Sequence, residues 1–415
     1  MNISNTKLDL DFVRSQFPAF NDPLCKEWSF FENAGGSYVP QQVIDRLNNF
    51  MISTKVQPYA EYPMSKIAGN NMDQATELFA KMINANKKEI IIGGSTSINL
   101  YVLCNALKYS LKPGDEVIVT NQDHEANISP WKRLLEVGAN IKEWKINPKT
   151  AELEIDELEN LLTEKTKIVA VTHCSNIVGT VNNLKKISEL AHKKNAIVIG
   201  DGVSYAPHGF PDVKELGVDF YTFSLYKTYG PHLALLYGKE EILKNLPNQN
   251  HQFLDGNYPY TINPGGPNHE ELVSLIGIYE YLMELYKHHF NNDGLSIRKK
   301  INEVNKLIAI HEQEIANPLL NYISERKDFK LIGKNKIEDK NRAPTISFVV
   351  INKSSKEVSN FLVKNKIATR NDNFYAWRCL EALNIDLDDG VVRISLTHYN
   401  KRSEVEQLIK ILQKI

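Results

Sequence analysis

The feature that most constrains the fold is an alternation of short β-rich runs with longer helical patterns from about residue 88 onward. The intervening segments, such as VNNLKKISELAHKKN, have the 3.6-residue apolar spacing of amphipathic helices. Runs such as IVAV are continuously apolar, so the sheet that they form is covered on both faces. The alternation predicts an α/β fold with a largely parallel sheet. The predicted strands are 89–92, 116–120, 167–172, 196–200, 219–224 and 233–237.

The pattern changes in the second half of the chain, where two long helical segments occupy 269–325. Strands predicted at 345–350 and 391–396 then alternate with helices, which indicates a smaller α+β domain. A chain of 415 residues is expected to form two or three domains. The predicted division is an N-terminal segment packing on the small domain (1–25), a large domain (26–290) and a small C-terminal domain (291–415).

Charge and apolar content narrow the possible partners. Lys plus Arg number 49 and Asp plus Glu 50, so the chain lacks the basic excess of a nucleic-acid-binding protein. No apolar run approaches the roughly 18 residues that span a bilayer, and no signal peptide is recognisable, which predicts a cytoplasmic protein without membrane contact. The cysteines are far apart and form no CxxC pair, which predicts reduced thiols and no metal site. They are Cys25, Cys104, Cys174 and Cys379.

Polar residues follow the predicted strands, and in open α/β sheets ligands bind beyond the carboxyl ends of the strands. Ser95 and Thr96 open a helix in a turn that suits a phosphate, although such turns are also common helix caps. His124 follows the next strand, where a lone histidine is more often a surface residue. Asp201 and Lys227 follow two further strands at the same edge, and each alone is equally well a solvated charge.

These residues together meet one chemical requirement. An enzyme that uses pyridoxal phosphate (PLP) needs a lysine for the Schiff base and a carboxylate that keeps the pyridine nitrogen protonated. Lys227 and Asp201 suit these two roles, the turn at 95–96 suits the phosphate, and His124 can stack on the ring. The set therefore predicts a PLP site.

The chain resembles the class V aminotransferase branch of fold type I PLP enzymes, the group of cysteine desulfurases and selenocysteine lyases. The resemblance extends almost from end to end. It is carried by FFENAGGSYVP, GGSTSINL, GDEVIVTNQDHEANISPW, THCSNIVGT, IGDGVSYAPH, DFYTFSLYKTYGPHLALLYG, NPGGPNHEELVSLIG and VVRISLTHYN. It implies PLP as the cofactor, a small amino acid as the substrate, and a homodimer in which the PGGPNHE segment reaches the partner's phosphate site.

The resemblance also implies roles for individual residues. Lys227 would form the Schiff base, Asp201 would pair with the pyridinium nitrogen, His124 would stack on the ring, and Asn176 would donate to the phenolic oxygen. The phosphate would be bound by Ser95, Thr96 and Ser224.

On the substrate side, Arg393 in VVRISL matches the arginine that holds the substrate carboxylate. Arg370 is a second candidate, and Gly35 and Tyr375 are the other residues expected near the substrate. An arginine fork suits a carboxylate because two parallel N–H bonds fix its orientation. The alternative for Arg393 is a surface ion pair on a strand.

Several positions depart from the family pattern. Tyr226 replaces the histidine before the Schiff-base lysine, Ser204 replaces a glutamine, and Gly266 replaces a phosphate-binding threonine. Tyr226 can still bind phosphate through its hydroxyl, so these changes reduce the number of cofactor contacts without removing cofactor binding.

The most consequential departure lies beyond Arg370, where a desulfurase has the loop cysteine that accepts the substrate sulfur. Tyr375 occupies that position, and Cys379 follows four residues later in a helical pattern. Cys174, beside the site, is the other thiol of interest. If C–S bond cleavage occurs, the sequence therefore predicts that the sulfur product leaves directly instead of resting on the protein as a persulfide.

The sequence predicts a PLP-dependent enzyme that acts on a small amino acid, by desulfurase-like or C–S β-lyase-like chemistry. Transamination and epimerisation remain alternatives, because the same cofactor serves all of these reactions. A PLP-binding protein without catalysis is a third reading. The complete set of Lys227, Asp201 and His124 disfavours it, since binding alone needs no electron sink.

Overall fold

The computed structural model describes residues 7–415. The strands, numbered in chain order, are β1 (Ser29–Phe30), β2 (Ile90–Gly93), β3 (Glu116–Thr120), β4 (Asn140–Trp144), β5 (Thr166–Thr172), β6 (Ile197–Asp201), β7 (Phe220–Ser224), β8 (Ala234–Gly238), β9 (Phe329–Leu331), β10 (Thr345–Val350), β11 (Ile367–Ala368), β12 (Arg370–Asp372) and β13 (Val391–Ser395). The α-helices are α1 (Leu10–Ser15), α2 (Gln41–Asn49), α3 (Pro63–Met82), α4 (Thr96–Leu107), α5 (Ser129–Lys132), α6 (Ile155–Leu161), α7 (Leu184–His192), α8 (Val213–Leu216), α9 (Glu240–Leu243), α10 (His269–Ser274), α11 (Ile276–His289), α12 (Ile297–Glu325), α13 (Ser355–Lys364), α14 (Trp377–Ala382) and α15 (Arg402–Leu412).

The main sheet has seven strands in the order β2-β8-β7-β6-β5-β3-β4. The strands from β7 to β4 in this order pair in parallel, and β8 is antiparallel to both of its neighbours. Strand β5 is buried almost throughout, because helices cover both faces. The predicted α/β fold with a largely parallel sheet is confirmed, and each of the six predicted strands lies within one residue of its predicted limits.

A second sheet of four antiparallel strands, in the order β12-β13-β10-β9, lies in the C-terminal part of the chain. Its core includes Phe348, Ile394 and Leu408, and also Phe31 from the start of the chain. Phe31 reaches this core because β1 pairs in parallel with β11. This sheet, together with the helices that pack on it, corresponds to the smaller α+β unit that the sequence indicates.

The helix α12 connects the two sheets and is 29 residues long. Part of the segment predicted to pack on the small domain, residues 1–6, lies outside the described residues. Arg14 of the described part forms an ion pair with Glu404 at 2.9 Å, while Asp9 bonds His288 at 2.9 Å. The segment thus contacts both C-terminal helix α15 and helix α11, and the domain limits stay a prediction.

The sequence analysis did not predict every strand, and the edge strand β4 and the three-residue strand β9 are among those that it missed. Strand β4 reads NIKEW and is partly exposed, so it lacks the apolar run that marks the central strands.

Among residues 7–415, no helix is both long and apolar enough to cross a bilayer. The cytoplasmic location stays a prediction.

Candidate active site

A cavity lies at the carboxyl ends of the parallel strands. The polar residues that follow these strands converge there, as expected for an open α/β sheet. Of the predicted cofactor residues, those that line it are Ser95, Thr96, His124, Asn176, Asp201, Ser204, Ser224, Tyr226 and Lys227. Gly266 is not among them and lines a separate surface groove.

Lys227 ends the short 3-10 helix that follows β7. Burial and the nearby Arg393 guanidinium lower the pKa of Lys227 to about 8, against the opposite influence of the Asp201 carboxylate. An amine with such a pKa gives up its proton close to neutral pH. It can therefore serve both as a nucleophile and as a proton carrier.

Asp201 is the last residue of β6, and its side chain points into the same cavity. Its Oδ1 accepts a hydrogen bond from the Val203 N–H at 2.9 Å. Burial raises the pKa of Asp201 to about 6, although the Val203 N–H and Lys227 favour the ionised form. A cationic ring nitrogen beside this carboxylate would stabilise its charged form further.

Hydroxyl groups surround the start of α4. Ser95 caps this helix and accepts a hydrogen bond from the Ile98 N–H at 3.1 Å. The Thr96 and Ser224 hydroxyls lie 2.8 Å apart, which joins the helix to the end of β7. Free N–H groups at a helix start combine with these hydroxyls to form a suitable phosphate site.

His124 presents a flat neutral ring. Its Nδ1 accepts a hydrogen bond from the Ala126 N–H at 3.0 Å, which fixes the ring orientation. Burial lowers the pKa of His124 to about 3, so the ring carries no charge near neutral pH. The Tyr375 ring lies 5.3 Å from it, centroid to centroid.

Asn176 has one satisfied and one unsatisfied polar atom. Its Nδ2 donates to the Phe374 carbonyl at 2.9 Å, whereas its buried Oδ1 has no partner within the described residues. Buried polar atoms rarely lack a partner, so this acceptor suits a bound polar group. The predicted donor role of Asn176 stays a prediction, because its amide nitrogen is engaged with the loop.

These residues fit PLP. The cavity combines an amine of lowered pKa, a buried carboxylate, a neutral ring, a hydroxyl-rich helix start and an unpartnered amide oxygen. PLP has a matching aldehyde, ring nitrogen, aromatic face, phosphate and hydroxyl group.

The substrate side of the site contains one buried and one exposed arginine. The side chain of Arg393 is 3% exposed and that of Arg370 is 51% exposed. Sequence reasoning missed two residues there, Glu32 and Phe374. Glu32 lies within 4.0 Å of both guanidinium groups, and the Phe374 ring centroid lies 3.6 Å from Arg393 Cζ.

A model of the family described as Aminotransferase class-V matches residues 29–408. The chain belongs to this family. It is 38% identical to the aminotransferase-like protein FGM3 of Gibberella zeae, over the whole of both chains. It is 30% identical to the cysteine desulfurase-like protein ustD of Aspergillus flavus, covering 98% of this chain and 91% of that one.

The fold is also shared with solved structures. A cysteine desulfurase from Thermococcus onnurineus superposes with a TM-score of 0.84 at 23% identity, covering 97% of each chain. The class V aminotransferases are PLP-dependent enzymes, and this protein is one of them. The resemblance to the desulfurase-like branch is confirmed. The roles of individual residues stay predictions.

Proposed function

We propose that the protein breaks the C–S bond of a small sulfur-bearing amino acid by β-elimination and releases the sulfur directly as a small molecule. The observation that carries this proposal is the loop at 373–376, where Tyr375 lies beside His124. The sequence resemblance assigns the family's cysteine to this position. A phenol is a poor nucleophile near neutral pH. The names of desulfurase relatives support an amino-acid substrate.

The thiols of Cys379 and Cys174 are unsuited to accept sulfur. Cys379 lies in α14 and is fully buried, and Cys174 is buried in the wall of the cavity. Burial raises the pKa of each thiol to about 12, so neither forms a thiolate at neutral pH.

Individual residues of the chain have separate roles in the proposed reaction. PLP, when bound, supplies an electron sink for the electron pair left at the substrate Cα. Asp201 keeps the ring nitrogen protonated, and the hydroxyls of Ser95, Thr96 and Ser224 hold the phosphate. Arg393 orients the substrate carboxylate.

Lys227 attaches the cofactor and then acts as the proton carrier. Its Nζ takes the proton from Cα and returns it to the departing sulfur, which leaves with the electron pair of the broken C–S bond. A pKa of about 8 for Lys227 suits both directions of transfer. With cysteine and water, the balanced products are sulfide, pyruvate and ammonia.

The decisive experiment is an amino-acid screen that measures sulfide, keto acid, ammonia and alanine together. β-Elimination gives sulfide, pyruvate and ammonia in equal amounts without alanine. Formation of alanine with protein-bound sulfur would instead identify a desulfurase and would overturn the proposal.

Transamination is the second candidate, because the relative that is 38% identical bears an aminotransferase-like name. Conversion of an added keto acid to its amino acid, without sulfide, would favour it. Racemisation of the α-carbon, with neither sulfide nor a new amino acid formed, would favour an epimerase.

A single turnover with cysteine is expected to leave the protein mass unchanged. Cys174 and Cys379 are buried thiols, so neither is expected to attack the substrate sulfur and no persulfide should accumulate. Intact-protein mass spectrometry measures this, with the Cys379→Ser variant as the matched control. A gain of one sulfur atom that disappears in this variant would contradict the proposed release.

We also propose a homodimer with composite sites. Gly266 lines a groove together with the exposed side chains of Tyr59 and Tyr260. Exposed aromatic side chains that line one groove are typical of an interface between subunits.

Light scattering is expected to give twice the mass of one chain. Tyr260→Glu, at an exposed residue of the groove, is expected to reduce this mass and to weaken PLP retention. The charge would be desolvated at the interface, and the partner's Gly266 segment would be withdrawn. Ile310→Glu, which alters an exposed isoleucine of α12 outside the groove, is the control. A fully active single-chain species at micromolar concentration would refute the composite site.

A further inference from the structure

The guanidinium of Arg393 is buried but weakly bonded. One face is covered by the Phe374 ring, at 3.6 Å from Cζ. Its Nη1 makes a long contact of 3.4 Å with the Asn176 carbonyl, and its buried Nε has no partner among the described residues. Arg393 thus makes no short hydrogen bond, although a guanidinium edge can bind a carboxylate through two N–H groups.

Glu32 stands between the two arginines of the substrate side. Its Oε1 lies 3.5 Å from Arg393 Nη2 and 3.5 Å from Arg370 Nε. Within residues 7–415 it is the only carboxylate within 4.0 Å of the Arg393 guanidinium. A distance of 3.5 Å exceeds the roughly 2.7–2.9 Å of a charge-assisted hydrogen bond, so the arginine is neutralised but not firmly held.

The backbone around Glu32 is fixed, so only its side chain can move. The Phe31 carbonyl accepts a hydrogen bond from the Ser395 N–H at 2.7 Å, and the Ala34 N–H donates to Ser395 Oγ at 2.8 Å. Gly35 leaves the room that the Glu32 carboxylate uses, because a Cβ there would collide with it.

We propose that Glu32 is a resident carboxylate that occupies the Arg393 position until a substrate carboxylate displaces it toward Arg370. The proposal rests on the role of Arg393 in the proposed function. A ligand carboxylate that makes two short bonds to Arg393 outcompetes one long contact. Arg370 is half exposed and already contacts Glu32, so it can keep the displaced charge paired.

Glu32 is therefore a specificity-determining residue, because every ligand must outcompete it. A ligand whose carboxylate cannot form two short bonds to Arg393 fails to displace Glu32, while a correctly oriented amino acid displaces it. In this scheme Arg370 binds Glu32 and not the substrate.

Calorimetric titration of the PLP-loaded protein with propionate tests the proposal without any turnover. Glu32→Gln is expected to tighten propionate binding about tenfold, because the competing charge is gone. Glu32→Asp keeps the charge but shortens the side chain by one methylene, and it is expected to tighten binding to a smaller extent. Glu125→Gln removes a carboxylate that pairs with Arg378 instead, and is expected to leave affinity within about twofold.

The Arg370→Gln variant separates the two possible roles of that arginine. It is expected to weaken propionate binding in the native background and to have no effect in the Glu32→Gln background. Equal weakening in both backgrounds would show that Arg370 holds the ligand itself and would overturn the scheme.

Unchanged or weaker propionate binding in the Glu32→Gln variant would also overturn the displacement scheme. The role of Arg393 is tested separately, since Arg393→Gln is expected to abolish propionate binding in every background. Propionate binding that survives in Arg393→Gln would refute the proposed substrate site, whereas failure of the Glu32 variants alone would refute only the displacement.

Discussion

Replacing Lys227 by alanine is expected to abolish covalent attachment of PLP and to lower turnover by about 10³-fold or more. The variant loses both the amine that binds the cofactor and the proton carrier at the reacting carbon. Borohydride reduction of the native protein, followed by peptide mapping, should place the cofactor mass on the peptide that contains Lys227.

Lys244→Ala is the matched control. This lysine is about half exposed and pairs with Glu240 on the protein surface, so its loss should change neither labelling nor turnover. A cofactor label on any other lysine, or full turnover in the Lys227→Ala variant, would remove Lys227 from its proposed role.

Replacing Asp201 by asparagine is expected to leave PLP binding detectable and to slow proton loss from Cα by about 10²-fold or more. A neutral amide cannot stabilise a positive charge on the ring nitrogen, so the electron pair at Cα is accepted less readily. Exchange of the Cα proton with deuterated solvent measures this step independently of the final product.

The control for this variant is a second buried carboxyl group, Asp123. It accepts hydrogen bonds from Thr120 and Asn127, and burial raises its pKa to about 8. Because Asp123 is mostly protonated at neutral pH, Asp123→Asn removes no charge and is expected to leave the exchange rate within about threefold. An Asp201→Asn rate as high as that of this control would exclude Asp201 from catalysis.

Much of the fold and the cofactor side of the cavity could be predicted from the sequence. The central strands are short and continuously apolar, and the carboxyl ends of parallel strands meet at one sheet edge. Asp201 and Lys227 each follow such a strand, so local patterns alone bring them together. The partly exposed strand β4 gave no comparable signal.

The substrate side could be predicted less well, because its geometry depends on contacts between distant parts of the chain. Glu32 lies opposite Arg393 only because the start of the chain pairs along the second sheet. Phe374 and Tyr375 both adopt left-handed backbone angles, with φ of 50° and 58°. Such angles are uncommon for aromatic residues, and neither composition nor periodicity indicates them.

The pairing of β1 with β11 has a consequence for biosynthesis. Phe31 leaves the ribosome well before its partner Ala368 and the strand that bears Ser395 are translated. The C-terminal core needs both Phe31 and strand β13. It therefore cannot be completed during translation until β13 has been synthesised and Phe31 has packed against it. A nascent chain stalled before residue 391 should therefore expose Phe31 to proteolysis, even after the seven-stranded sheet has folded.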